Sequence, residues 1–358
     1  KIRLTGNTSG TSDESDAAFT VIATPRIYSI QSENTGGASS WANDSVRIGG
    51  IVTAVTTDGK KLYLQAGNGP WSGIYVSYLA THGTLVGDSL IVTGKAVESS
   101  NVTQIYSTVA LTAKVSPNNT LPTVTPLTTS AANSEEYESV LIKVTGATCN
   151  SGSAGNYVVN DGSGDLVVYK SIYTGLTMEV GRKYDVTGVV VWYNTSSQYQ
   201  LYPRSAADVY AYSNDATLST FTLGGQDVLA LSGIEVANPT TDPGATLHVA
   251  DFSGFAGIVA ATTNAQATYA ITLNGITVDP ASYATQALAD GDVVVATVTA
   301  EDGTVKHYKV TLSGENRTLS VTAPVGGESY STGDEVTITW TSTNITSVNI
   351  SVYEAISH

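Results

Sequence analysis

The sequence predicts an all-β chain: two copies of a small five-stranded Greek-key barrel, followed by β-sandwich domains. Three observations point there. The first is composition. The 358 residues are 41% apolar and 13% charged, with 34 Gly and abundant Thr, Ser and Val, the profile of short strands joined by tight turns. No window carries apolar residues at helical spacing over three turns. The second is an internal repeat: much of the stretch 46–107 returns at 140–203. Gly50 answers to Gly146 and Gln104 to Gln200 at an offset of 96, and Tyr63 to Tyr157, Gly87 to Gly181 and Gly94 to Gly188 at an offset of 94. A shared order of elements at a nearly constant offset marks a duplicated domain. The third is a pair of Asp-Gly turns, at 58–59 and 302–303, each between alternating apolar runs as in a β-hairpin.

Taken in order, residues 1–24 offer a strand-like stub at 1–4, a polar loop at 7–16 and a second strand at 18–22. Two strands do not make an independently stable domain. Residues 26–118 form the first copy, with strands expected at 46–55, 61–65, 74–77, 89–97 and 103–107. Residues 119–213 form the second copy, entered through a linker bearing Pro122 and Pro126 and closing at Tyr210-Ala211-Tyr212. Five strands, with a glycine-marked bend in the first, suggest a barrel of the OB type. Residues 215–314 carry several short alternating strands over about 100 residues, as in a β-sandwich. Residues 318–358 supply further strands with an apolar face.

The pattern v-x-G-x-V, y-x-Q/N-x-G, G-D/R-x-x-x-V-x-G over 26–213 resembles the OB-like domains that accompany secreted bacterial nucleases and other large extracellular proteins. The ending ATVTAEDGTVKHYKVTL at 296–312 resembles cadherin-like or Ig-like repeats of bacterial surface proteins. The run PVGGESYSTGDEVTITW at 324–340 resembles the first half of an Ig-like domain. Domains of that kind close with a K-I-R-L strand and an S-D-x-x-F-T-V strand, and those elements stand at 1–4 and 15–21. The resemblance therefore implies an Ig-like domain split between the two chain ends. Ile2, Leu4, Phe19 and Val21 would cover the apolar face of Val336, Ile338 and Trp340. Either the chain is cut from a longer array, or the start of one subunit completes the end of the next.

The net charge is −15, with −2 over residues 26–213 and −8 over 214–317. An acidic surface repels phosphate backbones, so nucleic acid is not the expected partner. Cys149 is the single cysteine, so no intrachain disulfide forms. The Thr/Ser/Asn/Gly-rich, Lys-poor composition suits the cell exterior or surface. No run approaches the roughly 18–20 apolar residues of a membrane-spanning helix, so membrane insertion is not expected. The start at Lys1, with neither Met nor signal sequence, reads as a mature or trimmed piece.

Chemistry-bearing motifs are scarce. His82, His248, His307 and His358 form no H-x-H or H-E-x-x-H, which gives transition-metal ligation little support. No G-x-S-x-G nucleophile turn, P-loop or dinucleotide fingerprint occurs. Asp161 and Asp165, in D-G-S-G-D, place oxygens at alternate positions. Calcium is the one cofactor this leaves open, against the plainer reading of a β-turn. The aromatic residues stand out more, with 20 Tyr against 4 Phe. Tyr and Trp offer flat faces with a polar handle, and OB barrels bind oligonucleotides or oligosaccharides on their strand 2–3 face. Trp71, Tyr75, Tyr78, Trp192 and Tyr193 are the candidate ligand contacts. Their alternative role is to fill barrel cores and interdomain seams.

The expected function is a non-catalytic structural or adhesive segment, such as a stalk, adhesin or filament subunit. Its expected partners are copies of itself or adjacent domains of the same parent, with glycan as a further ligand. The competing expectation is an accessory nucleic-acid- or glycan-binding region beside an extracellular nuclease or other hydrolase.

Overall fold

The computed structural model describes residues 3–5, 11–17, 22–32, 34–35, 38–78, 81–107, 113–315, 317–345 and 347–351. The chain divides into two compact units, Lys1–Tyr212 and Ser213–His358.

The first unit holds two closed barrels. In the first, strands β1 (Ser45–Val55), β2 (Lys61–Gln65), β3 (Gly73–Tyr78), β4 (Ser89–Ser99) and β5 (Val102–Ser107) run in the order β1-β2-β3-β5-β4. Strand β4 returns to pair with β1, and β3 with β5 is the parallel pair. The second repeats this connectivity with β6 (Leu141–Ser153), β7 (Asn156–Asn160), β8 (Asp165–Tyr169), β9 (Lys183–Tyr193) and β10 (Gln198–Tyr202). Strand β9 closes on β6, and β8 pairs in parallel with β10. This is the five-strand closed arrangement expected of an OB-like barrel. Period-two alternation turns Val46, Ile48, Leu62, Leu64, Ile74, Val76, Leu90 and Val92 inward in the first barrel. In the second it turns in Ile142, Val144, Tyr157, Val159, Leu166, Val168 and Val186. A short helix, α1 (Ile27–Ser32), caps the first core with Ile27 and Ile30.

The repeated glycine of β4 and β9 has a physical reason. A Cβ on Gly94 would lie 2.7 Å from the Tyr106 carbonyl oxygen, and one on Gly188 would lie 2.6 Å from that of Tyr202. Each barrel closes only because the fourth strand meets the fifth without a side chain at that point. The equivalence of Tyr63 with Tyr157 needs correction. Tyr63 pairs with Ala54 and belongs to the cluster between the barrels, whereas Tyr157 lies in the second barrel core. By pairing register Tyr63 corresponds to Val158, which sits opposite Ser151. Register shifts between Val144 and Ala147 and between Cys149 and Ser151 lengthen the first strand of the second copy. Because side chains alternate, a one-residue slip moves a ring from one face to the other.

In the second unit, two sheets share one apolar core. Strands β11 (Leu218–Leu223) and β13 (Ile258–Thr262) pair in one sheet. Strands β14 (Thr268–Leu273), β15 (Val293–Thr299) and β16 (Val305–Gly314) lie in the other, with β12 (Ala245–Val249) added in parallel to β16. Phe221, Ile271, Val294, Tyr308 and Val310 are among the residues of that core. Beyond it, Thr318–Ala323 pairs antiparallel with Thr339–Thr343. Leu319, Val321, Val336, Trp340 and Ile350 are exposed there at 40–55%, and Ile338 is half-buried.

At the chain start, Arg3–Thr5 pairs with Ser12–Glu14. The second of these strands falls inside the stretch expected to be a polar loop; the Arg3–Glu14 ion pair at 2.6 Å holds the hairpin where apolar alternation does not. Ile2, Phe19 and Val21 lie outside the described residues, as do the side chains of Leu4 and Tyr78.

Candidate binding cleft between the barrels

The strand 2–3 face of the first barrel is turned against the second. Tyr63 on β2 is buried with Leu141, Ile172, Val189 and Tyr202 in a cluster drawn from both barrels. Polar contacts cross the same seam. The Leu141 amide donates to Gln65 Oε1 at 3.0 Å, the Trp71 amide to the Glu136 carbonyl at 2.6 Å, and the Thr123 amide to Asn68 Oδ1 at 2.8 Å. Arg204, held by a two-pronged pairing with Asp208 at 2.8 Å, donates through Nη1 to the Thr53 carbonyl at 3.1 Å. Gly73 comes so close that a Cβ would lie 2.2 Å from the Ser139 carbonyl oxygen.

Beside this contact the seam opens into a cleft of about 440 Å³. The first barrel contributes Lys61 and Tyr63 from β2, Tyr75 and Ser77 from β3, and Gln104 from β5. The end of β4 adds Ser99, and the turns add Thr56 and Ser100. The second barrel supplies Glu138, Ser139, Ser171, Trp192 and Tyr202. Tyr63 and Tyr75 are cross-strand partners with ring centroids 5.3 Å apart. Trp192 is held by Tyr199 at 4.9 Å across β9 and β10.

Glu138 is the electrostatic centre of the cleft. A single helical turn over Glu135–Tyr137 delivers it, and the next residue, Ser139, adopts φ +63 and donates its amide to Val190. Only 4% of Glu138 is exposed. Its Oε1 accepts from the Thr103 amide at 3.2 Å, while the Thr103 hydroxyl donates to Glu98 at 2.7 Å. Burial, reinforced by the neighbouring Glu98 and Glu135 charges, pushes the Glu138 carboxyl up to about 8. It is therefore mostly a neutral acid at pH 7, able to donate as well as accept. Burial also lifts the Tyr75 and Tyr202 hydroxyls to about 12.

Of the sequence candidates, Tyr75 and Trp192 meet in this cleft, and Trp71 and Tyr193 do not line it. Trp71 sits in a turn at φ +61, tied to Glu136 by its backbone. Tyr193 follows Trp192 on the same strand, so its ring points the opposite way and is 42% exposed. Glu138, Gln104 and the serines belong to no motif that marks a site in the sequence. The only sequence signal for Glu138 is an acid two positions ahead of the buried run at 140–144. Asp161 and Asp165 are engaged elsewhere. Asp161 accepts from the Thr129 amide at 3.0 Å and the Ser163 amide at 3.0 Å, which ties the short helix α2 (Thr129–Ala132) to the turn before β8. Asp165 accepts from Asn160 at 2.7 Å. Among the described residues, no group of three or more His, Cys, Asp or Glu is placed to hold a metal ion.

No protein-family model and no curated protein matches the chain. Among solved structures, the crystal structure of the p204 HINb domain is similar to 48% of this chain over 96% of its own length, at 15% identity and a TM-score of 0.25. A likeness at that score supports neither a fold nor a ligand assignment.

Proposed function

We propose that the chain is a non-catalytic structural or adhesive segment of a secreted or cell-surface protein. The two barrels act as one rigid body, and 215–314 is a cadherin-like or Ig-like sandwich that continues the array. The observation that carries this reading is the seam. The face an OB barrel normally offers to a ligand is here largely spent on the neighbouring barrel, through Tyr63, Gln65 and the backbone at Gly73. A nucleic-acid role is disfavoured by the cleft itself, where Lys61 is the single cation among the described lining residues.

The exposed apolar face of Leu319, Val321, Trp340 and Ile350 favours assembly with further copies. In this reading residues 1–24 of one subunit add strands to the 318–358 region of the next, a head-to-tail contact that propagates unless the rotation closes. The full chain is expected to form concentration-dependent chains by light scattering and electron microscopy, lost on deleting residues 1–24. A full chain that stays monomeric at high concentration would remove self-assembly and leave the segment as a linker.

A further inference from the structure

We propose that the seam cleft is a binding site for a neutral oligosaccharide, seated against Tyr75 and Trp192. The proposal rests on reading the two barrels as one rigid body, because Tyr75 comes from the first barrel and Trp192 from the second.

Four features of the cleft select the ligand class. Its volume of about 440 Å³ lies within the range of small-ligand clefts, roughly 300–1,000 Å³. Its lining combines aromatic rings with hydroxyls and an amide: Tyr63, Tyr75, Trp192 and Tyr202 with Ser77, Ser99, Ser171 and Gln104. A pyranose has the matching character, with an apolar C–H face ringed by hydroxyls that donate and accept. Tyr and Trp suit such a ligand because each presents a flat face and a polar handle.

The charge balance excludes a polyanion. Among the described residues Lys61 is the one cation in the lining, and Glu138 is held as a neutral acid by burial and by Glu98 and Glu135. A phosphate or uronate would meet too little positive charge to offset its desolvation. Glu138 can hydrogen-bond a sugar hydroxyl in either direction.

The strand pairing disfavours an extended peptide. Peptides commonly bind such domains by adding a strand to a free edge. Here β2 lies between β1 and β3, β3 between β2 and β5, and β5 between β3 and β4. Among the described residues, no strand edge of the first barrel faces the cleft, so a peptide backbone would bind there without its ladder of hydrogen bonds.

The test uses the full chain and tryptophan fluorescence or NMR titration. The probes are hexasaccharides of β-glucan, xylan, mannan and chitin. A polyuronate, oligo-dT and an extended Ser/Pro-rich peptide serve as competitors of other classes. At least one neutral saccharide is expected to bind, with affinity reduced about tenfold or more by Trp192→Ala and by Tyr75→Ala. Trp71→Ala and Tyr193→Ala, outside the cleft, should leave binding unchanged. Because Tyr75→Ala and Trp192→Ala could loosen the fold, Ser99→Trp provides a second arm. Ser99 is exposed at the rim, so a large ring there should block the cleft without disturbing a core. The proposal is overturned if no neutral saccharide binds, if binding survives Ser99→Trp, or if oligo-dT, the polyuronate or the peptide occupies the cleft more tightly. Loss of saccharide binding with the barrels still locked together would refute the ligand and spare the rigid-body reading.

Discussion

Glu138→Gln is expected to stabilise the Lys1–Tyr212 unit near pH 8 and to leave it unchanged below about pH 4.5. The cause is proton linkage. In the unfolded chain this carboxyl ionises near its ordinary value of 4.5, whereas burial and the Glu98 and Glu135 charges hold it protonated in the fold up to about 8. Between those values the folded state binds the extra proton. Stability is therefore fully present below 4.5, declines as pH rises, and stops declining above about 8. Each unit of raised pKa corresponds to about 1.4 kcal/mol, so the effect across the window is several kcal/mol. Glutamine keeps the acceptor for the Thr103 amide and has no charge to desolvate. Urea unfolding at acid, neutral and mildly alkaline pH checks this: the wild-type midpoint should fall with pH and the variant should stay flat. Glu98, whose carboxyl is also raised by burial, should give a smaller change of the same sign when replaced by Gln.

Gly73→Ala is expected to force the barrels apart. The new Cβ would lie 2.2 Å from the Ser139 carbonyl oxygen, 2.4 Å from its carbonyl carbon and 2.7 Å from the Val140 amide nitrogen. All three are backbone atoms, so no side chain can swing away, and Ser139 is already constrained at φ +63. Forcing an atom into such a contact costs about 3 kcal/mol. The barrel interiors are not touched: Ile74 and Val76 still face inward on the same strand. In denaturant the wild-type unit should unfold in one transition, and the variant should show the first barrel melting separately. An unchanged single transition would mean that Gly73 does not hold the seam.

Most of the barrel architecture was legible in the sequence because it depends on local patterns. Alternation and turn residues located the strands, and Gly94 and Gly188 recur because each closes its barrel against the fifth strand. Bulges were not legible, since they change the count by one residue without changing composition. That is why Tyr63 and Tyr157 looked equivalent while their rings lie on different faces. The cleft was legible only in pieces. Tyr75 and Trp192 could be chosen as aromatic candidates, but their convergence depends on how two barrels dock, which no periodicity encodes. Trp71 and Tyr193 shared the same sequence signal, and a left-handed turn and strand alternation turn them elsewhere. Glu138 gave almost no signal, because its altered acidity comes first from burial, which the fold and not the local sequence decides.

The central claim is that the barrels form one body through their seam, and hydrogen exchange at three amides tests it most directly. Trp71 N–H is held by the Glu136 carbonyl, Thr103 N–H by the Glu138 carboxyl and Leu141 N–H by Gln65 Oε1, each bond running from one barrel to the other. If the seam is rigid, all three exchange as slowly as amides inside the barrel cores, because they open only when the unit unfolds. Exchange of all three at the rate of surface loops, with the core amides still protected, would show that the barrels separate freely and would contradict the account.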